Sequence, residues 1–73
     1  MKFEDTFIAR STDSFIDVID SFAFDLNNKN IHCSFYMIEN EYWFLKLIRK
    51  AFERGINKIT FTNGIKYTVE DCL

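Results

Sequence analysis

Glu41-Tyr-Trp-Phe-Leu-Lys-Leu-Ile-Arg-Lys-Ala-Phe-Glu-Arg-Gly55 is the stretch around which the remainder of this 73-residue chain is arranged. At 100° per residue, Phe44, Leu47, Ile48, Ala51 and Phe52 fall on one side of a helix, and Lys46, Arg49, Lys50, Glu53 and Arg54 fall on the other. A helix of that pattern lies on a core. Asn40 is placed to cap its first turn, Glu41 suits the positive end of the helix dipole, and Lys50 and Arg54 suit the negative end. Gly55 supplies the left-handed residue that closes a Schellman cap, and Ile56 follows where that cap wants an apolar contact back to Phe52.

On the C-terminal side, the apolar pattern decides the turn around Asn63-Gly64. A two-residue turn would put Ile59 and Phe61 on one face and Ile65, Tyr67 and Val69 on the other, splitting the core. A three-residue loop, Thr62-Asn63-Gly64, with Gly64 left-handed, pairs Phe61 with Ile65 and Ile59 with Tyr67, so that all five share a face. The expected hairpin has the three-residue loop, and residues 70–73 add no further element.

On the N-terminal side, Ile31 to Ile38 alternate as a strand, with Ile31, Cys33, Phe35 and Met37 on one face and His32, Ser34 and Tyr36 on the other. Before it, Ser11, Thr12 and Asp13 offer N-caps for a helix in which Phe15, Val18, Ile19, Phe22 and Leu26 share a face and Asp13, Asp17 and Asp20 run up the opposite one. Residues 22–26 fit two patterns. Either the helix continues to about Leu26, leaving Phe24 among the aspartates, or it stops near Asp20 and a hairpin pairs Leu26 with Ile31, Phe24 with Cys33 and Phe22 with Phe35. Ala23 and Asp25 are poor strand formers and nothing near Asp20 breaks a helix, so the longer helix is preferred. Residues 2–9 alternate loosely enough for a first strand. The expected fold is a small single α+β domain spanning residues 1–73, in (β)αβαββ order. Two helices pack on one face of a small sheet that ends in a β-hairpin.

Thirteen aromatic residues, nine of them Phe, are more large apolar surface than so short a chain easily hides, which points to a partner or to self-association. The net charge of −2 argues for neither nucleic acid nor a mimic of it, but its distribution is uneven: residues 1–45 carry −5 and residues 46–73 carry +3. Cys33 and Cys72 make no disulfide framework, no apolar run is long enough to cross a membrane, and no signal-peptide pattern follows Lys2. These features suit a cytoplasmic protein with free thiols, in the host-cell cytoplasm were the sequence phage-encoded; no cofactor and no membrane partner are expected.

No constellation suits catalysis. Asp13, Asp17 and Asp20 project from one helical stripe, whereas a catalytic carboxylate cluster wants a concave site with converging donors, so no metal site is expected there. His32 and Cys33 adjoin in sequence but point to opposite faces of a strand, so they cannot share a reacting atom.

Three uses of the surface remain. The acidic stripe of Asp13, Asp17 and Asp20 with Phe24 has the make-up of a protein-binding patch, an aromatic anchor ringed by one sign of charge. Lys46, Arg49, Lys50 and Arg54, shouldered by Tyr42 and Trp43, form the alternative face, for nucleic acid or for a partner protein. Surplus aromatic surface would also serve a homodimer with a structural or regulatory role. Against all three stands the simpler possibility that the two helices lie side by side and their opposite charges meet within the fold. No motif is specific enough to name a family. Among these uses, the first is preferred: a non-catalytic protein-binding module acting on a host protein as an inhibitor or adaptor. Phage and mobile-element products of this size, anti-CRISPR and other anti-defence proteins included, supply the class-level expectation.

Overall fold

Strands and helices alternate in the order β1 (Thr6–Ala9), α1 (Thr12–Asp20), β2 (Asn30–Cys33), α2 (Tyr42–Glu53), β3 (Lys58–Phe61) and β4 (Lys66–Thr68), with a 3-10 turn at Val69–Cys72. This computed structural model describes residues 5–36 and 41–72, and side chains within 5–36 and 41–70. The sheet order is β1-β2-β3-β4; the first two pairings are parallel and the last is antiparallel. The expected α+β fold with its closing hairpin is the one observed. Two successive strand–helix–strand steps to adjacent parallel strands put both crossover helices on the same side, given the usual handedness of such connections. The rings agree. Phe15 of α1 stacks on Phe44 of α2 at 5.1 Å, and Phe44 meets Phe61 of β3 at 5.8 Å.

Strand register sorts the side chains into two faces. Phe7, Ile31, Ile59 and Tyr67 form one row, and Ala9, Cys33 and Phe61 form the next; both turn toward the helices. With Phe15, Ile19, Leu26, Phe44, Ile48, Ala51 and Ile56 they close the core. The opposite face carries Thr6, Asn30, Lys58 and Thr68 in one row and Ile8, His32, Thr60 and Lys66 in another.

Helix α2 ends as its sequence dictates. Gly55 has φ +105, Gly55 N–H donates to the Phe52 carbonyl at 3.0 Å, and Ile56 N–H donates to the Ala51 carbonyl at 3.2 Å, which together make a complete Schellman cap. Ile56 enters the core, with Phe52 packed against it. At the other end the N-cap is Glu41, whose side chain makes no capping bond; the expected cap, Asn40, lies outside the described residues. The hairpin has the three-residue loop. Gly64 has φ +87, Ile59 is opposite Tyr67, and Phe61 N–H donates to the Ile65 carbonyl at 2.9 Å. Val69 departs from the expectation: it enters the 3-10 turn and is exposed rather than sharing the core face.

Residues 21–29 follow neither sequence pattern in full, although the stop near Asp20 belongs to the second. Helix α1, capped by Ser11 whose hydroxyl accepts from Ser14 N–H at 3.2 Å, stops at Asp20, so it does not run to Leu26. No strand replaces it, because β2 has both edges occupied by β1 and β3, which leaves nothing for residues 22–26 to pair with. The segment instead folds on local side-chain bonds, Ser21 Oγ accepting from Ala23 N–H and Asp25 Oδ1 accepting from Asn27 N–H, each at 3.1 Å. Leu26 still reaches the core, but Phe22 does not. Strand β2 is also shorter than the expected 31–38: the chain bends after Cys33, and residues 37 and 38 lie outside the described region.

Candidate functional site

The acidic and basic stripes meet, because α1 and α2 lie side by side. Lys50 Nζ is 2.6 Å from Asp20 Oδ1. Arg54, at the C-cap of α2, turns its guanidinium onto the end of α1: Nη1 donates to the carbonyls of Ile19, Ser21 (2.8 Å) and Val18 (3.5 Å), and Nη2 donates to that of Phe24 (3.1 Å). Those carbonyls belong to the last turn of a helix and the loop after it, where backbone acceptors lack partners and the dipole favours a cation. Two members of the basic stripe are thus engaged within the fold. Lys46 and Arg49 remain on the exposed side, with Lys46 Nζ 4.9 Å from the centre of the Tyr42 ring.

Of the acidic patch, Asp13 and Asp17 are exposed on α1 and Asp20 is tied to Lys50. Phe24 is not among them. It lies on the loop with its ring edge-on to Phe7 at 5.4 Å, because α1 has already ended.

The aromatic members of the alternative face fare differently. Phe15 and Phe44 sit in the first turns of their helices, so their stacking brings the two helix N-termini level, and Phe35 beside Phe44 brings the end of β2 to the same place. Tyr36, 72% exposed, and Tyr42, 71% exposed, therefore lie at the same end of the molecule as Trp43, whose ring leans on Phe44 and whose Nε1 donates to Glu41 Oε2. That end is formed by the carboxyl ends of the parallel strands. Phe22 sits elsewhere, 93% exposed at the far end of α1 with the Arg54 guanidinium 5.2 Å from its ring centre.

His32 and Cys33 part company as the strand alternation requires. His32 is on the open face, its Nδ1 2.8 Å from Thr60 Oγ1. Cys33 is in the core, and burial pushes its thiol up to about 12, so it is held as a neutral apolar filler. The side chain of Cys72 lies outside the described residues. Among the described residues, no three His, Cys, Asp or Glu side chains converge on a common point, and no helix is long and apolar enough to cross a membrane.

The open sheet face went unread in the sequence beyond His32, Ser34 and Tyr36. Its signal was available: Lys58, Thr60 and Lys66 occupy the positions that alternate with the core residues of the hairpin. No known protein family, curated protein or solved structure matches this chain.

Proposed function

We propose that this protein is a non-catalytic binding module for another protein, acting as an inhibitor or adaptor on a host target through the end of the molecule where Tyr36, Tyr42 and Trp43 gather. The observation that carries this reading is their exposure. Rings of this kind are the usual anchors of protein interfaces, and here two of the three are more than 70% exposed after the core has closed. Asp13 and Asp17, exposed on the helix whose first turn stands level with that of α2, and Lys46, over the Tyr42 ring, set charges of opposite sign on the two helices beside that end, which suits the orienting of a partner. The separation of His32 from Cys33 and the neutral state of the buried thiol support a role that does not rest on chemistry.

The test is capture by the tagged full chain from a lysate of the source cell, with and without nuclease, read by mass spectrometry. One protein recovered in near-stoichiometric amount, insensitive to nuclease, is the expected result. Tyr36→Ala with Tyr42→Ala should reduce that recovery by about thirtyfold, the effect of a single strong hot spot. Asp13→Lys with Asp17→Lys should reduce it further by slowing the encounter, and both pairs are exposed enough to leave the fold intact. Recovery that depends on nuclease, or that survives the tyrosine substitutions unchanged, would defeat the reading.

A further inference from the structure

The face of the sheet turned away from the helices has a composition unlike the rest of the molecule. None of the described residues of β1–β4 is acidic, although the chain as a whole is net negative. Register places Lys58 and Lys66 on this face as diagonal neighbours on adjacent strands, since Lys58 is opposite Thr68 and Lys66 is opposite Thr60. Diagonal positions of that kind lie ~7–8 Å apart, a spacing that lets two ammonium groups reach successive phosphates of one strand. Arg10 follows β1 in the same alternation and is exposed. Thr60 Oγ1 and the Asn30 amide add neutral hydrogen-bonding groups on the same face.

The row Ile8, His32, Thr60, Lys66 adds a second kind of contact. The imidazole of His32 is oriented by its bond to Thr60, and Ile8, 53% exposed, stands beside it on the neighbouring strand. An oriented ring with an apolar wall beside it is a platform for an unpaired base, whose face a duplex would keep hidden.

We infer that the open face of the sheet binds single-stranded nucleic acid, with Lys58, Lys66 and Arg10 taking phosphates and His32, flanked by Ile8, stacking on a base. This surface lies on the side of the sheet opposite the helices and shares no residue with the proposed protein-binding end. The inference therefore stands or falls independently of that reading, and both partners could be held at once.

Fluorescence anisotropy of a short labelled oligothymidine strand, titrated with the full chain, tests it. Binding should weaken roughly seven- to twentyfold between about 50 and 200 mM salt, as two or three phosphate contacts require. Lys58→Glu with Lys66→Glu should abolish binding and flatten the salt response while preserving the melting transition, both side chains being exposed. His32→Ala should weaken binding by roughly five- to a hundredfold, as loss of one stacked base does, with the salt slope unchanged. Lys46→Glu with Arg49→Glu, on α2, should change nothing. The inference is overturned if low-salt binding is absent, or if loss of binding follows the α2 pair. It is equally overturned if duplex DNA or polyglutamate competes as well as the single strand, polyglutamate identifying an acidic protein as the occupant instead.

Discussion

A guanidinium that reaches the carbonyls of Val18, Ile19, Ser21 and Phe24 from the end of another helix uses its planar fork of donors in a way a lysine cannot copy. Arg54 closes the end of α1 from outside, and α1 has no glycine of its own with which to close itself. Arg54→Ala should therefore cost about 2 kcal/mol, the scale of hydrogen bonds from a charged donor. In a domain this small, that lowers the melting temperature by about 10 °C. Arg54→Lys should recover less than half of the loss. Lys50→Ala is the internal comparison: its bond to Asp20 is short, but both side chains are about half exposed, so its loss should cost at most about 1 kcal/mol. Thermal melts that rank Lys50→Ala equal to Arg54→Ala would mean that charge pairing, rather than the capping of carbonyls, joins the two helices. This is also where the simplest sequence expectation, opposite charges meeting between adjacent helices, is realised in part. It could not be resolved from sequence, because which cation of the stripe turns inward depends on how α2 lies against α1.

At the scale of elements, the two glycines separate backbone conformation from packing. Both have positive φ, Gly55 at +105 and Gly64 at +87, so an alanine at either should cost roughly 1–2 kcal/mol from handedness alone. A Cβ at Gly64 would meet nothing within 4 Å, whereas one at Gly55 would stand 2.8 Å from Asn27 Cα, a backbone atom that cannot swing aside. The connection there is tight because Asn28 N–H donates to the Gly55 carbonyl and Asn57 N–H donates to that of Lys29. Gly55→Ala should then lose a further 1–3 kcal/mol or so beyond Gly64→Ala, the usual cost of overpacking, and urea denaturation of the two variants measures the difference. Equal losses would place Asn27 farther from Gly55 than described. Both glycines were legible in the sequence because caps and hairpins are decided by neighbours within a few residues. Residues 21–29 were not, for the opposite reason. Their conformation is set by Arg54, Gly55 and Phe7, which are distant in sequence, and by a β2 whose edges are already taken. Local propensity favoured a helix that these contacts stop.

For the molecule as a whole, the question is whether so thin a core is one unit or several. Ring contacts answer it. Phe44 of α2 touches Phe15 of α1, Phe35 after β2 and Phe61 of β3, so one side chain joins both helices to the sheet. A domain of this length has a total stability of roughly 4–11 kcal/mol, and replacing a buried phenylalanine by alanine costs about 3–5 kcal/mol. At the lower end of that range, Phe44→Ala consumes the whole margin, since the cavity opens where three elements converge and none can close it without leaving another. Phe44→Leu keeps most of the volume and should cost about 1–2 kcal/mol, leaving a folded protein with an earlier midpoint. Fluorescence of the single tryptophan, Trp43, which leans on the Phe44 ring, reports the transition directly. Phe44→Ala should show little or no cooperative urea transition, and Phe44→Leu a single transition at lower denaturant. Two separated transitions in the leucine variant would mean that the helices and the hairpin unfold independently, and that the two proposed binding surfaces belong to separable units rather than to one domain.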